Sequence, residues 1–171
     1  MQAIEGGITA PKGFRAAGVH AGIKKEKLDL ALLFSERPAA CAAAYTQNKA
    51  RAAPIEVMMR DNPHTLRAFV VNSGNANALT GPKGFEDALR MRQLTAHELG
   101  VRPNEVGVAS TGVIGRFLPM DQVTTGIWQA SKQLDRGREA DIVAAKAIIT
   151  TDTTIKTAAC QVTLDDGTLV T

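Results

Sequence analysis

The run from residue 66 to residue 111 constrains the fold more than any other part of this chain. It opens with LRAFVV (66–71), an apolar stretch of strand length, and passes into the amide-rich NSGNAN (72–77). Residues 84–99 then place Phe85, Ala88, Leu89, Ala96 and Leu99 on one helical face, with Met91 and Leu94 widening the stripe. Gly100 is placed to end that helix. EVGVAST (105–111) is the next strand. Strand, loop, helix and strand in that order call for an α/β architecture, a mixed sheet layered with helices.

The flanking segments extend the pattern. Residues 6–23 are short strands joined by a turn at 11–13, and LDLALLF (28–34) is a buried strand. AACAAAYT (39–46) has the alanine content of a helix. Pro38 before it and the polar 46–48 after it make strand the preferred reading. Residues 54–60 form a short helix with Pro54 at its first position. A helix at 120–134 aligns Val123, Ile127, Ala130 and Leu134 and leaves Trp128 off the stripe, while one at 139–149 aligns Ile142, Ala145 and Ile149. IKTAACQVTL (155–164), Asp165-Asp166-Gly167 and TLVT form a closing hairpin. Its second strand has only begun at Thr171 and leaves an open edge. The expectation is therefore one domain, 1–171, that is the first part of a longer product or a subunit whose sheet a partner completes.

Composition narrows the function. Aromatic residues are 4% of 171 while alanine is abundant, so sheet and helix can approach closely. The net charge of +3 is spread along the chain; the only dense cluster is Lys24, Lys25 and Lys27 around Glu26, read as a solvated turn. Clustered cations interleaved with aromatic platforms are absent, which excludes a nucleic-acid groove. Cys41 and Cys160 form no Cys-x-x-Cys pair and read as buried free thiols of a reducing compartment. His20, His64 and His97 stand apart, without the clustering that a zinc site needs, so neither metal nor cofactor is implied. The longest apolar run, residues 39–45, is seven residues, far short of a membrane span, and the first residues lack a signal-peptide pattern. A cytoplasmic protein is expected.

ASTGVIG (109–115) carries the chemical question, because small hydroxyls beside a glycine at a strand end suit acyl transfer in either of two parts. As a nucleophile, Ser110 or Thr111 would need a base within reach. The segment lacks the Gly-x-Ser-x-Gly elbow, and both residues are internal, so neither can use its own α-amino group. As an oxyanion hole, backbone N–H groups beside Gly112 and the Thr111 hydroxyl would supply the donors. The alternative is an ordinary strand-to-loop turn. Asn72, Asn75 and Asn77 with Gly74 form either a self-bonded loop or a polar wall for a carboxylate or amide ligand. The hydroxyls of ITTDTTIK (149–156) either satisfy a helix end or face a substrate.

Four segments, GFRAAGVHAGIK, VVNSGNANALTGPKGF, VASTGVIGRFLPMD and AIITTDTTIK, together resemble the N-terminal (α) chain of the ornithine acetyltransferase family, the glutamate N-acetyltransferases of arginine biosynthesis. The resemblance spans nearly the whole chain. It implies an α/β sandwich shared with self-cleaving aminopeptidases and a precursor that cuts itself before an internal threonine, which becomes the nucleophile of a β chain. It further implies a ping-pong reaction in an assembly of two α and two β chains. Acetyl passes from N²-acetylornithine to that threonine and then to glutamate, and some members also accept acetyl-CoA. On this likeness Thr111 and Gly112 match the family's oxyanion-hole pair and Thr150 a substrate-contacting threonine. The Lys-Gly-Ser-Gly-Met run that leads to the cleavage site is not within 1–171. Two rival readings stand beside this one: a related self-cleaving aminopeptidase, and a non-catalytic amino-acid-binding or assembly module.

Overall fold

A computed structural model describes residues 1–171. Seven strands and four α-helices follow one another as β1 (Gln2–Ile4), β2 (Phe14–Val19), β3 (Leu30–Ala40), α1 (Ala53–Asp61), β4 (Thr65–Asn75), α2 (Gly81–Leu99), β5 (Val106–Val113), α3 (Met120–Lys132), α4 (Arg138–Ile148), β6 (Ala159–Thr163) and β7 (Leu169–Val170). The main sheet has the order β2-β3-β4-β5. Its first two pairings are antiparallel, and β4 and β5 are parallel, with α2 as the crossover between them. A small antiparallel sheet, β1-β6-β7, holds the closing hairpin. The mixed α/β sandwich expected from the sequence is present.

Period-two alternation sorts the strands' side chains between two unequal faces. Ala17, Val19, Leu30, Leu32, Ala68, Val70, Val106 and Val108 point to one face, where they bury Val57 and Met58 of α1, Met91 and Ala88 of α2, and Val123 and Ile127 of α3. Fully burying each of the larger aliphatic side chains is worth about 1.5–3 kcal/mol, so this layer holds the fold together. Ala16 and Ala31 point to the other face and meet Ala144 and Ala147 of α4. The approach is very close. A Cβ built on Gly18 would lie 2.1 Å from the Val143 carbonyl oxygen.

That close approach corrects the predicted face of the last helix. Ala140, Asp141, Ala144 and Ala147 are the buried positions of α4, while Ile142 and Ala145 are half-buried and Ile149 lies beyond the helix as its cap. The sheet selects the smallest side chains for contact, not the largest. AACAAAYT is strand only at Ala39 and Ala40, which pair with Leu66 and Thr65. Thr65 is the first residue of β4, so past one more bond, Cys41 N–H to the His64 carbonyl at 2.8 Å, there is no strand left to pair with. Pro54 stands second, not first, in α1. β4 runs on to Asn75, so half of the asparagine segment is strand end and not loop. The thiols also differ from expectation: Cys41, just past the end of β3, is half-buried, and Cys160 is exposed because the small sheet fully buries none of its strand residues.

Candidate functional site

The parallel pair β4 and β5 ends at Asn75 and Val113, and in open α/β sheets the carboxyl ends of strands are where ligands bind. Here Ser73 pairs with Thr111 and Gly74 with Gly112, after which the register shifts at Asn75. Such a bulge takes backbone groups out of the ladder. Gly112 (φ +135°) and Gly74 (φ +99°) sit side by side at the bulge. A Cβ on Gly112 would lie 2.4 Å from the Gly74 carbonyl carbon and 2.6 Å from the Asn75 nitrogen. Only glycine permits the two backbones to touch there.

The asparagines prove to be scaffold. Asn72 is fully buried, donates from Nδ2 to the Asn75 carbonyl at 2.8 Å and accepts the Ser110 hydroxyl at 2.5 Å. Asn75 accepts the Asn77 N–H at 2.8 Å and donates to the carbonyls of Arg116 and Phe117 at 3.2 and 2.9 Å. Asn77, also fully buried, donates to the Gly84 carbonyl and accepts the Thr80 hydroxyl, both at 2.8 Å. These bonds engage all three amides inside the protein, which favours the self-bonded reading over a polar wall. They stitch the β4 end to the β5 end and to the start of α2.

The Ser110 hydroxyl is therefore engaged by an amide oxygen. The Thr111 hydroxyl, half-buried at the next position, makes no hydrogen bond to any group of the chain. Neither has a histidine or carboxylate as hydrogen-bond partner, so neither is activated as a nucleophile by this chain. What the strand end offers is the Thr111 hydroxyl, which is free to donate.

Thr150 reaches the same end of the sheet through two tethers. Ser73, the ladder partner of Thr111, donates from its hydroxyl to the Ala147 carbonyl at 2.5 Å. Lys24 Nζ donates to the Ile149 carbonyl at 2.7 Å and to the Leu28 carbonyl at 3.0 Å. The stem of Lys24 lies against Gly74, where an added Cβ would be 2.9 Å from Lys24 Cγ. The carbonyl of Ala147 in α4 and that of the cap residue Ile149 are thus taken by Ser73 and Lys24, not by the threonines of 150–154. Thr150 is half-buried, and its hydroxyl, like that of Thr111, bonds to no other group of the chain.

Lys24 departs from the solvated turn expected of its cluster. Lys25 and Lys27 are exposed, but burial holds the Lys24 ammonium below the ordinary lysine range, against the pull of Asp29 and together with repulsion from Lys27. Asp29 is fully buried and accepts the N–H groups of Ala21, Gly22 and Lys24 at 2.6, 3.1 and 2.8 Å. One signal for it was present in the sequence: a carboxylate inside LDLALLF cannot be buried without partners. The site's rim is apolar. Leu79, Val113, Ile114 and Phe117 are exposed, at the last residue of β5 and on the segments after β4 and β5, which are joined by Ala76 N–H to the Val113 carbonyl and Gly115 N–H to the Ala78 carbonyl, both 2.9 Å.

A family model described as the ArgJ family matches residues 15–171. The arginine biosynthesis bifunctional protein ArgJ of Streptococcus thermophilus is 49% identical over 161 residues, covering 93% of this chain and 39% of the relative. That of Oceanobacillus iheyensis is 46% identical over 168 residues, 97% of this chain and 40% of the relative. The chain thus spans about two fifths of the length of these curated relatives. Among solved structures, ArgJ of Bacillus halodurans superposes with a TM-score of 0.90 at 41% identity, covering 98% of this chain and 88% of that one. Ornithine acetyltransferase of Mycobacterium tuberculosis, complexed with ornithine, gives 0.90 at 40% identity over 99% and 91%.

Proposed function

The chain belongs to the ArgJ family, and on that premise we propose that residues 1–171 are the N-terminal α domain of a self-cleaved acetyltransferase of arginine biosynthesis. A β chain from the same precursor supplies a threonine nucleophile at its own N-terminus, and two copies of each chain assemble. The threonine Oγ attacks the acetyl carbonyl carbon of N²-acetylornithine and passes its proton to its own α-amine. The negative charge that develops on the carbonyl oxygen is received at Thr111 and Gly112. The C–N bond then breaks, ornithine leaves with the proton, and the acetyl group remains as a threonine ester. The glutamate amine attacks that ester, takes the acetyl group and regenerates the threonine. Exclusion of water by the apolar rim keeps hydrolysis from competing. Thr150 donates to a polar group of the substrate.

One observation carries this reading. The Thr111 hydroxyl, at a bulged strand end beside Gly112, is held in place with no partner inside the chain, so it can serve a ligand. Thr111→Ala, made with the downstream segment co-expressed, is expected to lower kcat for acetyl transfer by about 10²–10³-fold, the effect of removing one oxyanion donor. Unchanged transfer would overturn the assignment. Release of acetate without acetylglutamate would favour the hydrolytic alternative. Acetyl-CoA is the second donor to assay.

A further inference from the structure

We propose that Lys24 is a positioning residue for Thr150, its ammonium fastening the Ile149 carbonyl to the 20–24 turn and so tying the Thr150 segment to the end of β4 that carries Gly74. The role assigned to Thr150 rests on the function proposed above; the clamp itself rests on geometry. α4 ends at Ile148, and Ile149 is already extended (ψ 146°), so Thr150 is the first residue past the cap. The Ile149 carbonyl and the Thr150 nitrogen belong to one planar peptide. A bond of 2.7 Å to that carbonyl therefore orients the plane from which Thr150 projects.

The other end of the clamp is rigid. Lys24's own N–H is bound by Asp29, whose carboxylate also holds Ala21 and Gly22, and whose carbonyl accepts the Ser73 N–H at 2.7 Å. The aliphatic stem is braced by Gly74. The ladder that carries Thr111 and the segment that carries Thr150 thus share one anchor, a lysine distant from both in sequence.

The test uses the full enzyme, with Lys24→Met, Lys24→Arg, Thr150→Ala and the Lys24→Met/Thr150→Ala pair. Lys24→Met is expected to lower kcat/KM for acetylornithine by about 10–100-fold, as displacement of a positioned group does. Lys24→Arg, which keeps the charge and the donors, is expected to recover most of that. If Lys24 acts through Thr150, the double variant is no worse than the poorer single variant, whereas independent effects multiply. Backbone amide exchange over the last turn of α4, residues 145–148, is expected to quicken in Lys24→Met and to leave the core strands unchanged. Multiplying effects, or unaltered exchange in 145–148, would overturn the clamp. If the wild type transfers no acetyl group, the proposed reaction fails while the exchange comparison still decides the clamp.

Discussion

Gly112 answers two constraints at once. Its φ of +135° is strained for any residue with a side chain, and the space a Cβ would fill is already occupied by the backbone of Gly74 and Asn75. Strained φ costs of order 1–3 kcal/mol, and overpacking adds about 1–3 kcal/mol more. Gly112→Ala is therefore expected to lower the thermal midpoint by roughly 5–15 °C for a domain of this size. Acetyl transfer should fall further than stability does, because any relief must move Thr111. Calorimetry beside a single-turnover assay checks both; a variant as stable and active as the wild type would show that the two strands are not in contact. The asparagines make the complementary point. Their identity was legible as an amide-rich turn, but whether those amides faced inwards or outwards was not, since that depends on Ser110, Gly84 and the 116–117 carbonyls.

At the scale of elements, α4 matters because its C-terminal end presents Thr150, and its distance from the sheet is set by glycine and alanine. Gly18→Ala would place a methyl group 2.1 Å from the Val143 carbonyl oxygen, which cannot move without the helix. The expected result is a loss of about 1–3 kcal/mol together with a displaced 147–150 segment. A rise in KM for acetylornithine in Gly18→Ala, read beside chemical denaturation, checks that coupling; lost stability with unaltered kinetics would uncouple α4 from the site. The existence of α4 was legible from its apolar spacing, yet its buried face was not. Aliphatic periodicity points to Ile142 and Ile149, whereas contact with Gly18 and Ala16 favours Ala144 and Ala147. The strands β3, β4 and β5 and the helices α2 and α3 were readable because their larger apolar residues do face the core. The 39–46 segment was not, because strand continuation depends on a neighbour and β4 begins at Thr65. Lys24 was hidden for a related reason: its acceptor lies 125 residues away.

Over the whole molecule, the two faces of the main sheet are covered to different degrees. One carries three helices; the other carries α4 alone, and a cavity remains beside it. A cavity of about 440 Å³ is lined by Leu33, Phe69, Val71, Ala144 and Ile148, and another of about 290 Å³ by Phe14, Leu33, Leu66 and Phe69. Leu164, Leu169 and Val170 of the closing hairpin are exposed, as are Val113, Ile114 and Phe117 at the site's rim. Apolar surface of this extent marks an interaction face or an aggregation liability. Under the proposed two-chain assembly, the β chain is what covers it. The 1–171 chain made alone is then expected to self-associate, with a sedimentation coefficient that rises with concentration. Co-expression with the downstream segment should give one discrete species. The apolar contact makes the difference persist in high salt, where a purely electrostatic association would weaken. A 1–171 chain that sediments as a single monomer across a wide concentration range would mean that these surfaces are self-sufficient, and would remove the structural reason for expecting a partner.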